Sequence, residues 1–99
     1  MKILIQWEIH PDKREEVFAA FAAMELADYQ GMGGPNVKTL GRWHDVVNGR
    51  GLGVVETTDP DAISVWLMKW NAAVDFEISI VHNDEEAHSL IREHVAAQG

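Results

Sequence analysis

The sequence contains no cysteine, which excludes disulfide bonds and thiolate metal ligands. Basic residues are also few: eight Lys and Arg stand against sixteen Asp and Glu, giving a formal net charge of −8. An acidic surface repels phosphate backbones and anionic lipids, so we expect no nucleic-acid partner and no membrane partner. No run of apolar residues is long enough to predict a transmembrane helix. The absence of cysteine suits a reducing compartment, and we expect a cytoplasmic protein.

The composition that remains is typical of a folded chain. Apolar residues make up 46% of the 99 residues, and we expect one domain that spans residues 1–99. The apolar start of the chain is too short and too soon interrupted by charge to predict a signal peptide. A chain of this length buries a modest fraction of its surface, so burial against a second copy would add stability.

Residue periodicity predicts four strands and three helices. Apolar and polar residues alternate, as in strands, over 2–10, 37–47, 52–57 and 74–81. Helical spacing of apolar residues predicts helices over 11–29, 59–71 and about 84–97. Between the second and third strands, the Asn48-Gly49 pair is typical of a hairpin turn, and Asp45 is expected to end the second strand beside it. Asn71 is expected to cap the second helix, and Asn83 or Asp84 the third.

This order predicts an α+β, ferredoxin-like βαββαβ sandwich with an extra C-terminal helix. Right-handed crossovers place both connecting helices on one face of the sheet, with the first strand at its centre. Ile3, Ile5, Trp7 and Ile9 are the expected helix-facing residues of that strand. The opposite set, Leu4, Gln6, Glu8 and His10, is half apolar and half polar. Such a face is best explained by two sheets packing together in a homodimer around a polar pocket.

Several segments resemble an uncharacterised bacterial family of about a hundred residues, known as a domain of unknown function. The resemblance is carried by the opening 1–7, the Leu-Gly-Arg-Trp-His-Asp string at 40–45, the segment 51–56, and residues 70–71 and 75–78. The resemblance implies the dimeric α/β-barrel superfamily, which includes cofactor-independent monooxygenases, haem-degrading enzymes, lactone isomerases and ligand-binding domains. The haem-degrading pattern is not matched, because the first strand has Gln6 where that pattern needs Asn.

Polar side chains on neighbouring strands form the candidate site. Arg42 and His44 are two residues apart, so they share one face of their strand. We expect that face to be the one opposite the helices, together with Gln6, Glu8 and Glu77, which leaves Trp43 in the core. Arg42 is suited to bind a carboxylate, and His44 or Glu8 to transfer a proton. Trp7 and Trp66 are the expected apolar walls. In the competing interpretation, Arg42 and His44 pair with acidic groups on a dimer surface or face water.

Other kinds of site find little support in the sequence. The histidines have no His-x-His or His-x-x-x-His spacing, so we expect no metal site and assign no cofactor. The glycine-rich segment 30–36 lacks a Gly-Lys-Ser/Thr ending and follows a helix, which argues against a phosphate-binding loop. No serine lies in a nucleophile-elbow context.

Two functional hypotheses remain open. In the first, the protein is a dimer that binds a small polar or anionic molecule, and it would be a cofactor-independent oxygenase or isomerase if it is an enzyme. In the second, it is a non-catalytic dimeric module for assembly or regulation. A cavity lined by Arg42, His44 and Glu8 would favour the first hypothesis, and a sealed interface without a cavity would favour the second.

Overall fold

A computed structural model describes residues 1–99. The chain forms one four-stranded sheet and four α-helices, in the order β1 (Lys2–Ile9), α1 (Arg14–Ala22), α2 (Leu26–Gln30), β2 (Lys38–Asp45), β3 (Arg50–Glu56), α3 (Pro60–Met68), β4 (Val74–Val81) and α4 (Asp84–Gln98). A single 3-10 turn, Pro11–Lys13, joins β1 to α1. The predicted α+β class and the extra C-terminal helix are confirmed.

The strands lie in the order β2-β3-β1-β4, and each pair is antiparallel. This arrangement places β1 at the centre between β3 and β4, as the βαββαβ pattern predicts. The register pairs Ile5 with Gly53 of β3 and with Ile78 of β4. Side chains on these three residues therefore share one face of the sheet.

The hydrophobic core lies between that face and the helices. Ile3, Ile5 and Ile9 of β1 are all buried, which confirms the predicted helix-facing side of the first strand. α3 contributes Ile63, Trp66 and Leu67 to the larger cluster of core residues. α1 contributes Val17 to a second cluster, at the Ile9 end of β1.

The first helical segment differs from its prediction. The pattern predicted one helix over 11–29, whereas the chain forms a 3-10 turn, α1 and a separate α2. The break follows from a capping box: the Glu25 backbone N–H donates to Asp28 Oδ2 at 3.1 Å, which starts a new helix. α2 therefore bends away from α1 and brings Tyr29 over the sheet, where its hydroxyl donates to the Phe21 carbonyl.

The end of α3 also differs from its prediction. α3 ends at Met68 and not at Asn71, and no residue other than glycine adopts a positive φ, so Asn71 is not a left-handed cap. Asp59 precedes α3 but its side chain makes no capping bond; Thr57 Oγ1 accepts the Asp59 N–H instead, at 2.9 Å. At α4 the predicted cap is confirmed, since Asn83 Oδ1 accepts the Glu86 N–H at 2.8 Å.

The β2–β3 hairpin is closed by Asp45, which ends β2 as expected. Its carboxylate accepts bonds from the Asn48 backbone N–H, the Asn48 side chain and Arg50 Nε, at 3.2, 3.0 and 3.1 Å. These bonds, led by the one from the Asn48 side chain, lower the pKa of Asp45. Gly49 completes the turn with a φ of 67°, a conformation that glycine adopts without strain.

A β-bulge in β2 exchanges the two faces of that strand. Thr39 pairs with Val55 and Gly41 with Val54, so Leu40 is an extra residue. Beyond the bulge, Arg42 pairs with Gly53 and His44 with Gly51, which are positions on the helix side. The prediction that Arg42 and His44 face away from the helices is therefore wrong. Trp43 is not a core residue: it lies on the open face and is 63% exposed.

α4 projects away from the rest of the molecule. Its residues are all exposed except Ala87, and the longest dimension of the molecule is 54 Å against 27 and 20 Å for the others. The first turn is held near β1 by a salt bridge of 3.1 Å between Lys2 Nζ and Glu86 Oε1. None of the helices combines the length and the apolar character that a membrane span requires.

Candidate functional site

A cleft lies between the helix side of the sheet and α1, α2 and α3. Trp7 of β1 and Arg42 and His44 of β2 form its floor. Phe21 and Tyr29 close it from α1 and α2, and Trp66 and Trp70 close it from α3 and the turn that follows. We call this space the aromatic cleft.

The rings in the aromatic cleft contact one another edge to face or in stacks. The His44 ring lies 5.4 Å from Trp7 and 5.7 Å from Phe21, measured between centroids, and both contacts are T-shaped. Phe21 also stacks on Trp70 at 5.4 Å and meets Tyr29 edge-on at 5.4 Å. Such contacts fix ring orientations, so the walls are preformed and suited to a flat apolar ligand.

Two glycines of β3 leave room for this arrangement. A Cβ at Gly51 would overlap the Trp7 indole, and one at Gly53 would lie 3.3 Å from the Gly41 carbonyl and 3.8 Å from the Arg42 stem. The missing side chain at Gly51 allows the Trp7 ring to lie over β3, whereas a Cβ at Gly53 would meet the Arg42 chain at an ordinary contact distance. The position of the Trp7 wall of the aromatic cleft thus depends on Gly51.

The aromatic cleft has an inner and an outer part, which share Trp7, Ile9 and Phe21 as lining residues. The inner cavity has a volume of about 40 Å³, and Thr39 and Arg42 are its only residues with polar side-chain atoms apart from the indole N–H groups. It would hold roughly three waters or a group the size of a carboxylate. The outer part has a volume of about 320 Å³ and is lined by Tyr29 and His44.

Arg42 is half-buried in the inner cavity without an acidic partner. Its Nη1 donates to the Tyr29 carbonyl at 2.9 Å and contacts Met32 Sδ at 3.6 Å. The salt bridges of the protein all join other residues, although the chain has sixteen acidic side chains. A guanidinium offers five N–H donors, so most of its capacity is left for another acceptor. Burial lowers the pKa of Arg42, and the neighbouring Tyr29 opposes that effect.

His44 stands at the entrance, between the inner cavity and solvent. Partial burial and, second, the positive charge of Arg42 lower the pKa of His44 below its ordinary value. The ring is therefore neutral at pH 7 and presents one nitrogen that accepts a hydrogen bond or a proton. A neutral base beside a fixed cation is suited to abstract a proton from a bound anion.

The structure divides the predicted site residues between two faces. Trp7, Arg42, His44 and Trp66 come together at the aromatic cleft. Gln6, Glu8 and Glu77 lie on the open face, where Gln6 pairs with Glu77 and Glu8 with Asp75 across β1 and β4. They line a shallow acidic hollow of about 580 Å³. Glu8 and His44 are thus on opposite sides of the sheet and cannot act on one ligand together.

Three residues of the aromatic cleft were not identified from the sequence: Phe21, Tyr29 and Trp70. Phe21 and Trp70 were assigned to the apolar stripes of the first and second predicted helices, and Tyr29 to a helix end. A usable signal is nevertheless present, because Gly51 and Gly53 are two residues apart and therefore face the same side. Paired glycines on one face of a strand indicate that large side chains from neighbouring elements lie over it.

No group of three or more His, Cys, Asp or Glu side chains in the structure is arranged to hold a metal ion. The chemistry that the aromatic cleft offers consists instead of a fixed cation, a neutral imidazole and aromatic walls. Groups of these kinds are suited to bind an anion, to exclude water from it and to accept a proton from it.

Comparison with known proteins gives one match. The family model described as a domain of unknown function, DUF3303, matches residues 1–95. Neither the curated proteins nor the solved structures include a match to this chain.

Proposed function

Because the chain belongs to the DUF3303 family, whose description assigns no activity, we propose its function from the aromatic cleft itself: binding of a small molecule that joins an anionic group to a flat apolar body. The observation that carries the proposal is Arg42, a half-buried guanidinium with no acidic partner, at the end of a cavity walled by aromatic rings. Burying a cation without a partner costs folding free energy, and a bound anion that pairs with the cation offsets this cost.

The volumes of the two parts suggest how such a ligand lies. The inner cavity, at about 40 Å³, has room for a carboxylate beside Arg42 but not for a ring. The outer part, at about 320 Å³, accommodates a ring among Phe21, Tyr29 and His44. We therefore place the anionic group inward, against the free donors of Arg42, and the apolar body outward.

A set of three probes tests the binding. Benzoate has both features, benzamide keeps the ring but is neutral, and acetate keeps only the charge. We expect tryptophan fluorescence to report benzoate binding at least tenfold tighter than benzamide or acetate. Arg42→Gln should bring benzoate and benzamide to the same affinity. Arg92→Gln is the matched control, because Arg92 lies on exposed α4, outside the aromatic cleft. Equal affinities for benzoate and benzamide in the wild type would refute the proposal.

For a catalytic activity, His44 is the proposed proton acceptor in a cofactor-independent isomerisation or oxygenation. The support is its lowered pKa and its place between Arg42 and the outer part of the aromatic cleft. Phenylpyruvate is a suitable probe, since it joins an aromatic ring, an enolisable carbon and a carboxylate. We expect wild-type protein to accelerate its keto–enol exchange, and His44→Gln to lose that acceleration at a saturating concentration of phenylpyruvate, where a change in affinity has no effect on the rate. An unchanged exchange rate in His44→Gln would exclude this role.

We also propose that the protein is a cytoplasmic homodimer of single domains spanning 1–99. The open face supports the dimer, because Trp43 and Leu52 are exposed there and no helix covers them. Light scattering should give a dimer mass, and Trp43→Glu should lower it. A dimer that binds none of the three probes would favour the alternative function, a non-catalytic assembly or regulatory module.

A further inference from the structure

The C-terminal helix carries an apolar stripe that its own domain does not cover. Leu90, Ile91 and Val95 lie on one side of α4, with Ala87 a turn earlier, and they are 48, 59 and 61% exposed. A helix of about 15 residues is marginal in water by itself, and most helices depend on packing of an apolar face. α4 therefore needs a surface to pack on.

An uncovered apolar surface exists elsewhere on the same chain. Ile78 and Ile80 of β4 pair with Ile5 and Ile3, so they lie on the helix side of the sheet. Ile3 and Ile5 are buried beneath α3, and Val74 at the start of β4 is buried against α1, but Ile78 and Ile80 are 49 and 63% exposed because no helix covers this end of the edge strand. We call these two residues the β4 strip.

α4 does not reach the β4 strip of its own chain. Only His82 and Asn83 separate the end of β4 from the start of α4. The capping box at Asn83 and the Lys2–Glu86 salt bridge hold the first turn, and the helix then leads away from the sheet. The stripe and the strip are thus two apolar surfaces of one chain that do not meet within it.

We propose that α4 of one copy packs its Leu90–Ile91–Val95 stripe on the β4 strip of a second copy, and that the second copy returns the same contact. A reciprocal exchange of this kind is the closed arrangement that two-fold symmetry requires. The exposed fractions correspond to an apolar area on the order of 1,000 Å² for both contacts, which reaches the lower size of specific interfaces. This contact uses residues outside the aromatic cleft and the open face, and it adds to the proposed dimer contact around Trp43 between the same two copies.

Engineered cysteines test the contact cleanly, because the native chain contains none. Ile80→Cys in an untagged chain and Ile91→Cys in a longer, tagged chain are mixed, exchanged and oxidised. We expect a disulfide-linked heterodimer on a non-reducing gel, formed at least tenfold faster than with the matched control Ser89→Cys, which lies on the opposite side of α4. Equal rates for Ile91→Cys and Ser89→Cys, or no link with either, would overturn the proposal.

A single chain that carries both Ile80→Cys and Ile91→Cys distinguishes packing of α4 on a second copy from packing on its own chain. The exchange predicts a linked dimer, whereas an intramolecular disulfide at monomer mass would show that α4 folds back on its own chain and would also overturn the proposal. Ile91→Glu provides a measurement without cross-linking. It should weaken self-association at least tenfold in sedimentation while benzoate binding stays at the wild-type level, and unchanged self-association would contradict the exchange.

Discussion

The two faces of the sheet carry similar residue types, which are buried on the helix side and exposed on the open side. The helix side buries isoleucines and keeps Arg42 and His44 among aromatic rings, whereas the open side exposes Trp43 and Leu52 beside acidic side chains. A tryptophan is fixed on one side and free on the other: Trp7 lies in the aromatic cleft over Gly51, and the Trp43 indole lies over Gly41 towards solvent. Residue type therefore does not tell which side is the core, but the covering elements do.

The largest expected difference between the two faces is in the stability lost when an aliphatic residue is truncated to alanine. Ile5 is 2% exposed and Leu52 is 38% exposed. Ile5→Ala should lower the free energy of unfolding by about 2–5 kcal/mol, because it removes buried methyl groups and leaves a cavity. Leu52→Ala should cost less than about 1 kcal/mol. Urea unfolding at a concentration where the protein is monomeric measures both, and similar losses would show that the open face is also packed in the protomer.

Adding one methyl group on each side tests the roles of the glycines. Gly51→Ala should cost about 1–3 kcal/mol, because the new Cβ meets the fixed Trp7 ring and, at 2.7 Å, the Trp43 backbone carbonyl. Gly41→Ala meets the Trp43 ring at 2.6 Å, but that exposed ring can swing into solvent. We expect a loss below about 1 kcal/mol for Gly41→Ala. A thermal unfolding series on the two variants would contradict this account if Gly41→Ala were the less stable one.

Acidification should act on the helix side through His44. Its pKa in the folded protein is lowered, so below the ordinary value of about 6.5 the unfolded chain binds the proton first. The free energy of unfolding should therefore fall as pH drops from about 6.5 towards the folded pKa, and this loss stops below it. Because His44 is partly exposed, we expect a loss well under about 1 kcal/mol.

Two variants identify the group responsible. His44→Gln should remove this part of the pH dependence of urea unfolding. His88→Gln, on exposed α4, should leave it in place. If the slope near pH 6 survived in His44→Gln, another group would have to be its source.

The smallest expected effect is a change in the pKa of His44 when the charge of Arg42 is removed. Arg42→Gln removes the positive charge that contributes to the lowered pKa of His44, so that pKa should rise. The rise should be partial, since burial is the larger cause and remains. An NMR titration of the His44 ring gives the value directly. Arg92→Gln, on exposed α4, should leave it unchanged, and an equal rise in both variants would point to long-range charge and not to Arg42.

The order of elements could be predicted from the sequence, because alternation and helical spacing are local properties of the chain. The faces of β1 followed from Ile3, Ile5 and Ile9, and the cap of α4 from Asn83. The faces of β2 could not be predicted, because the extra residue at Leu40 is not marked by any proline, and its neighbour Gly41 fits an ordinary strand as well. Residues before the bulge, such as Thr39, face as predicted, and those after it are exchanged.

The same bulge explains why the candidate site was only half predicted. Arg42 and His44 were correctly grouped with each other, since two residues on one strand keep their common face wherever it points. Their grouping with Gln6, Glu8 and Glu77 depended on the relative register of three strands. That register is set by pairing between distant segments, and one inserted residue reverses it.

The hydrogen bond from Arg42 to the Tyr29 carbonyl would couple α2 to the binding of the proposed ligand. α2 has few other restraints: every residue of Leu26–Gln30 is exposed except Tyr29. The local opening free energy of this segment should therefore follow the position of one guanidinium. An anion that drew Arg42 inward would loosen α2, and one that fixed Arg42 in place would protect it. Amide hydrogen exchange over 26–30 would then distinguish ligands by how they are held as well as by how tightly.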